Sequence, residues 1–85
     1  MGRNMSRLDK LLARIRNNPK HVSFEDLDTL LIAYGFECRQ PRSGSSHYIY
    51  FRRPYVLPVA RHKPHVHSKT VKQALAILDD ILEEE

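Results

Sequence analysis

The apolar residues in the first third of the chain recur at the spacing of two α-helices. The first predicted helix runs from about Ser6, which can cap it, to Arg16, before a helix-ending Asn-Asn-Pro segment. The second begins at Ser23, whose hydroxyl can cap the free amide of Asp26, and ends before Gly35. We expect one side of each helix to be buried, through Leu8, Leu11, Leu12 and Ile15 in the first and Phe24, Leu27, Leu30, Leu31 and Tyr34 in the second.

Beyond Gly35 the pattern changes to the alternation and β-branched content of strands. A turn-forming segment follows the first of three predicted strands, which cover residues 36–40, 47–53 and 56–60. Pro58 favours an edge position for the third strand, because proline cannot donate a ladder hydrogen bond.

A last helix is predicted from about Ser68, with an apolar stripe made of Val71, Ala74, Leu75, Leu78, Ile81 and Leu82. The order of elements is therefore ααβββα. Short connections favour an antiparallel three-stranded sheet with the helices packed on one face, which is an α+β fold.

The two faces of the middle strand differ in their side chains. Ile49 and Phe51 alternate with Tyr48 and Tyr50, and we expect the first pair to pack on the helices. The tyrosines would then be exposed, where they could stack on unpaired bases. The alternative is that tyrosine stands here for its strand propensity alone.

Length and composition limit the chain to one small domain. It has 85 residues, 41% hydrophobic and 28% charged, which excludes a second domain or a large cofactor fold. No apolar run approaches the roughly 20 residues of a membrane span, and no signal peptide is expected. The single cysteine, Cys38, excludes an internal disulfide or a cysteine metal cluster. We therefore expect a cytoplasmic protein that does not associate with membranes.

The charge is distributed unevenly along the chain. The formal net charge is +4, yet five of the ten acidic residues lie in the last seven positions. Between Glu37 and Asp79 there is no acid, and that interval holds eight basic residues and four of the five histidines. Such a basic field attracts polyanions, nucleic acid above all. The alternative is a solvated surface without a specific partner.

Two segments carry candidate chemistry. His47 follows Gly44-Ser45-Ser46, where backbone amides could bind phosphate oxygens while the imidazole transfers a proton. The alternative is a surface histidine after a turn. The segment 61–67 contains three histidines, which could be metal ligands. No acid lies nearby, however, and the neighbouring positive charges oppose the binding of a metal cation. A phosphate-facing loop before the last helix, with Lys69 in its first turn, is the better interpretation.

Read together, these segments resemble the HicA family of toxins from toxin–antitoxin pairs. The resemblance covers roughly residues 8–80 and rests on the order of these motifs: Asn17-Asn18-Pro19-Lys20, Val22-Ser23-Phe24-Glu25-Asp26-Leu27, Tyr34-Gly35-Phe36, Ser43-Gly44-Ser45-Ser46-His47-Tyr48-Ile49-Tyr50 and Val56-Leu57-Pro58-Val59-Ala60-Arg61-His62-Lys63. It implies a fold like that of a double-stranded-RNA-binding domain, in which residues 1–20 form an additional N-terminal helix and 21–82 the core. It also implies cleavage of mRNA without metal or other cofactor. The implied partner is a HicB-like antitoxin, which binds a chain that is monomeric alone.

The resemblance also implies roles for single residues. The family's catalytic histidine follows a Gly-Ser pair, and here Ser45-Ser46 precedes His47, with Gly44 one position earlier. We carry the role of general acid or base to His47, and RNA contacts to Ser45 and Ser46.

In the expected mechanism a ribose 2′-hydroxyl attacks the adjacent phosphorus. Arg61, Lys63 and Lys69 would offset the charge that develops on the phosphoryl oxygens. His62 is an RNA-binding residue in this hypothesis, and whether it also transfers a proton stays open. Two other functions remain: a non-catalytic RNA-binding module of the same fold, and an interaction domain for an acidic protein.

Overall fold

The computed structural model describes residues 7–40 and 47–84. Within these ranges the elements are α1 (Arg7–Asn17), α2 (Phe24–Ala33), β1 (Glu37–Arg39), β2 (His47–Arg52), β3 (Tyr55–Ala60) and α3 (Ser68–Glu84). The predicted α+β fold and the order ααβββα are confirmed. The predicted cap at Ser6 and the turn before His47 lie outside the described residues.

The three strands form one antiparallel sheet with β2 in the middle. Arg39 of β1 pairs with Ile49, and Arg52 pairs with Tyr55 across the hairpin that joins β2 to β3. Pro58 lies in β3, an edge strand, as its missing amide hydrogen requires.

The core lies between the helices and one face of the sheet. All three helices contribute to it, and β2 and β3 contribute alternate residues, because successive side chains of a strand point to opposite faces. Its buried members include Leu12, Ile15, Phe24, Leu27, Leu30, Leu31, Tyr50, Leu57, Val59, Val71, Ala74, Leu78 and Ile81. Leu82, predicted to be buried, is exposed at the end of the α3 stripe.

The ends of α2 follow the capping signals of the sequence. The Asp26 amide donates a hydrogen bond to the Ser23 hydroxyl over 3.1 Å. Gly35 has φ +93°, a conformation in which a side chain would be strained, and the Phe36 amide then donates to the Leu31 carbonyl over 3.0 Å. This compact ending turns the chain directly from α2 into β1.

Helix α1 belongs to the same core as the rest of the fold. Leu12 and Ile15 are buried in it. Arg14 forms an ion pair with Asp26 of α2 over 2.7 Å, and Arg16 forms one with Asp79 of α3. The helix predicted as an N-terminal addition therefore packs on the elements that follow it.

Candidate nucleic-acid interface

The side of the sheet that packs on the helices is opposite to the predicted one. Tyr50 is only 1% exposed, and its hydroxyl donates a hydrogen bond to Asp28 Oδ1 over 2.6 Å. The ring centroid of Tyr48 lies 4.8 Å from that of Phe24 of α2. The prediction that Ile49 and Phe51 pack on the helices, leaving both tyrosines free to stack on bases, is therefore wrong.

The Asp28 carboxylate explains why a tyrosine can be buried here. A buried phenol needs a partner for its hydroxyl, and Asp28 on α2 supplies one. Burial raises the pKa of Tyr50 above its ordinary value, and the hydrogen bond to Asp28 raises it further. Tyr50 therefore remains a protonated donor, and its ring fills the core.

The register of the hairpin shows which residues of β3 share the buried face with the tyrosines. Pairing Arg52 with Tyr55 sets Tyr50 opposite Leu57 and Tyr48 opposite Val59. Directly paired residues lie on the same face of a sheet. Both tyrosines therefore share the buried face with these two aliphatic side chains of β3.

The other face of the sheet is not covered by any described helix. We call it the open face and define it by its central residues: Arg39, Ile49, Phe51, Arg53 and Val56. Val56 is 63% exposed, and Ile49 and Phe51 are half-buried. The Arg39 guanidinium lies over the Phe51 ring, 5.7 Å from its centroid, as in a cation–π contact. The open face thus combines apolar surface with guanidinium groups.

His47 stands at one end of the sheet. It is the first residue of β2, it is exposed, and it pairs with Ala60, the last residue of β3. Alternation along β2 directs its Cβ to the same face as Ile49 and Phe51. Because Arg61 follows Ala60, the backbone of His47 also lies beside the start of residues 61–67, which we call the basic segment.

Arg61 itself is held on the helical side of the sheet. Its guanidinium forms an ion pair with Glu25 over 3.0 Å and lies 5.1 Å from the centroid of the Phe24 ring. Its interaction with the Tyr48 side chain, and then the Glu25 carboxylate, raise the pKa of Arg61. The structure thus ties Arg61 to the start of α2 and does not bring it onto one face with His47.

The remainder of the basic segment leads from the sheet end toward α1 and α2. The Val66 amide donates to the Val22 carbonyl over 2.8 Å. The His65 ring meets the His21 ring edge-on, with 5.2 Å between centroids, and the His62 ring meets the His67 ring at 4.2 Å. These contacts order the segment on the helical side, and His62 is engaged there with another imidazole.

The predicted lysines are exposed. Lys63 lies in the basic segment, and Lys69 lies in the first turn of α3, beside a shallow depression that it lines with Lys72. Ser45 and Ser46, predicted to contact RNA, lie outside the described residues. The described part of the candidate site therefore consists of His47 at the sheet end, the open face on one side and the basic segment on the other.

No family model, no curated protein and no solved structure matches this chain. Over residues 7–40 and 47–84, no three histidine, cysteine, aspartate or glutamate side chains are grouped so that they could hold a metal ion. None of the helices in these ranges has the length and apolar character needed to cross a membrane.

Proposed function

We propose that this protein is a metal-independent endoribonuclease, the mRNA-cleaving toxin of a toxin–antitoxin pair, as its resemblance to the HicA family implies. One observation carries the proposal. An exposed histidine, His47, stands at the end of the sheet, where pairing with Ala60 sets it beside the basic segment that begins at Arg61. The imidazole thus lies on the face that carries Arg39, while the backbone of His47 adjoins the basic segment, whose cations attract phosphates.

The reaction needs only proton transfer and stabilisation of negative charge. A base takes the proton of a ribose 2′-hydroxyl, whose oxygen attacks the adjacent phosphorus. The bond to the 5′-oxygen of the next nucleotide breaks, and that oxygen receives a proton from an acid. The products are a 2′,3′-cyclic phosphate and a free 5′-hydroxyl, and no metal takes part. His47 is the base or the acid, worth about 10²–10⁴-fold in rate.

The exposed lysines have a separate role in this proposal. Lys63 in the basic segment and Lys69 in the first turn of α3 are exposed, and they contact phosphates away from the scissile bond in this proposal. Contacts of this kind add affinity without sequence preference and weaken as salt rises. His62 binds RNA in the same way, while the roles of Ser45 and Ser46 stay predictions.

The proposal extends to a partner and a cellular compartment. A toxin that cuts mRNA acts in the cytoplasm and requires an antitoxin that covers its site. The basic field of the chain suits an acidic surface on a HicB-like antitoxin. Co-expression with the product of a neighbouring reading frame tests this part directly.

The decisive experiment is RNA cleavage by a His47→Ala variant in EDTA. We expect the wild-type protein to shorten single-stranded RNA and leave cyclic-phosphate ends, and we expect the variant to bind RNA without cutting it. His21→Ala is the matched control, because it removes an imidazole that lies outside the basic segment and packs on His65. Cleavage at the wild-type rate by the His47 variant would falsify the catalytic assignment.

A second candidate function is a non-catalytic RNA-binding module. The position of Arg61 favours it over catalysis, because the guanidinium predicted to offset charge at the reacting phosphate is held on the helical side by Glu25. The same EDTA experiment separates the two functions. A binding module shifts the RNA in a gel and leaves its length unchanged at every protein concentration.

A further inference from the structure

We propose that the open face binds single-stranded RNA next to the cleaved bond, with Phe51 stacking on an unpaired base and Arg39 and Arg53 contacting phosphates. This inference rests on the proposed function, because it takes the position of His47 as the point of cleavage. The RNA that binds is an unpaired strand, and it lies on the side of the sheet opposite to the basic segment. Arg39 then provides positive charge on the face of His47, whereas Arg61 is held on the helical side.

The direction of the His47 side chain is the first argument. Alternation puts His47, Ile49 and Phe51 on one face of β2, so an RNA strand that reaches the imidazole also meets this face. At about 3.3 Å per residue, Phe51 lies roughly 13 Å from His47 along the strand. Arg39, paired with Ile49, lies between them. Nucleotides beside the scissile bond are therefore within reach of all three.

The chemistry of the open face is the second argument. RNA without base pairs is bound by aromatic rings that stack on bases and by cations that follow the backbone. Phe51 and Arg39 bring an aromatic ring and a guanidinium together at one surface, with 5.7 Å between the guanidinium carbon and the ring centroid. Arg53 adds a second exposed cation at the same surface.

One acidic side chain also belongs to this face. Glu37 pairs with Phe51 across β1 and β2 and is exposed. Two guanidinium groups against one carboxylate leave the open face cationic before His47 is counted. A phosphate backbone therefore meets a favourable charge there, and Glu37 limits how many phosphates it attracts.

The aromatic ring of the open face favours the unpaired strand over the duplex. In duplex RNA the bases are stacked on one another, and proteins reach mainly the phosphates and the 2′-hydroxyls. Such contacts make no use of a ring such as Phe51. Single-stranded RNA gains from both the ring and the cations, so it is the substrate that this face distinguishes.

The test measures RNA affinity in the His47→Ala background, so that the probe stays intact. The probe is a short fluorescent single-stranded RNA of mixed sequence, and a duplex of the same sequence is the comparison. We expect Phe51→Leu to weaken single-strand binding by about 5- to 150-fold, the range for loss of one stacked base. Phe51→Tyr keeps the ring and should keep the affinity.

The charge of the open face is tested separately. Arg39→Ala should make the plot of log affinity against log salt less steep, by the amount that corresponds to the loss of about one phosphate contact. Lys10→Ala is the control, since it removes one exposed cation from α1, away from the sheet. Thermal unfolding of each variant shows whether the fold is kept.

The inference is wrong if folded Phe51→Leu and Arg39→Ala variants bind the single strand as the parent does, or if the parent prefers the duplex. It is also wrong if these changes weaken only the capture of an acidic protein partner. Each of these results leaves the His47 experiment untouched. Conversely, unchanged cleavage by His47→Ala removes the proposed function, whereas the binding data still report on the open face.

Discussion

At the scale of single residues, Tyr50 has the most informative environment. It is a large polar side chain in the core, and its hydroxyl is satisfied by Asp28. An aliphatic residue at this position would fill the space without fixing the distance between β2 and α2. The hydrogen bond therefore both permits the burial and aligns α2 on the sheet.

Tyr50→Phe tests this contact. We expect the free energy of unfolding to fall by about 1–3 kcal/mol at neutral pH, because the Asp28 carboxylate loses its donor while the ring still packs. Chemical denaturation measures the loss. A variant as stable as the wild-type protein would show that solvent satisfies Asp28 equally well.

The pH dependence of stability gives a second readout of the same prediction. The pKa of Tyr50 is raised in the folded protein, so only the unfolded chain loses this proton above its ordinary pKa of 10.0. The contribution of protonated Tyr50 to the free energy of unfolding is complete below that pH, and it is lost as the pH rises through and beyond it. We expect the wild-type protein to lose more stability than Tyr50→Phe above that pH.

At the scale of elements, α2 has both of its ends defined by single residues. Ser23 caps the first turn, and Gly35 at φ +93° ends the last one. Glu25 and Asp26 add negative charge at the positive end of the helix dipole. The same two carboxylates hold Arg61 and Arg14, so this helix start also joins β3 and α1 to α2.

Ser23→Ala tests the cap. The Asp26 amide would lose its acceptor, and we expect the free energy of unfolding to fall by about 1 kcal/mol. Ser23→Gly is the comparison, and it should lower the free energy of unfolding by only a few tenths of a kcal/mol. Equal stability of the alanine variant and the wild-type protein, measured by urea denaturation, would show that the cap does not contribute.

At the scale of the whole molecule, the small size of the chain makes every core side chain important. A domain near this length buries only about 60% of the surface that its unfolded chain exposes. Leu12 and Ile15 of α1 complete this core, and exposed ion pairs of Arg14 and Arg16 connect the helix to α2 and α3. Without α1 the hydrophobic surface of its neighbours would face water.

Ile15→Ala tests how much the fold depends on α1. Ile15 is 2% exposed, so its truncation should lower the free energy of unfolding by about 2–5 kcal/mol. Ile32→Ala is the matched control, because the same change is made in a helix at a side chain that is 45% exposed. Similar losses in both variants would contradict the role given to α1.

The pattern of the sequence was sufficient to predict the elements and their order. Helical spacing, the capping serine and Gly35 are local signals, because they act on the backbone conformation of residues that are close in sequence. Pro58 in an edge strand belongs to the same class of signal. The exposed position of His47 at the start of β2 also follows from the pattern.

Only the tertiary structure decided which face of the sheet is buried and which charges lie near His47. Both faces of β2 carry large side chains, so alternation alone could not choose between them. The choice depended on partners far along the chain: Phe24 and Asp28 on α2 and the paired residues of β3. The same packing drew Arg61 to Glu25 and left Arg39 on the face of His47. Contacts between distant segments are absent from a local pattern, and they determine the surroundings of the candidate site.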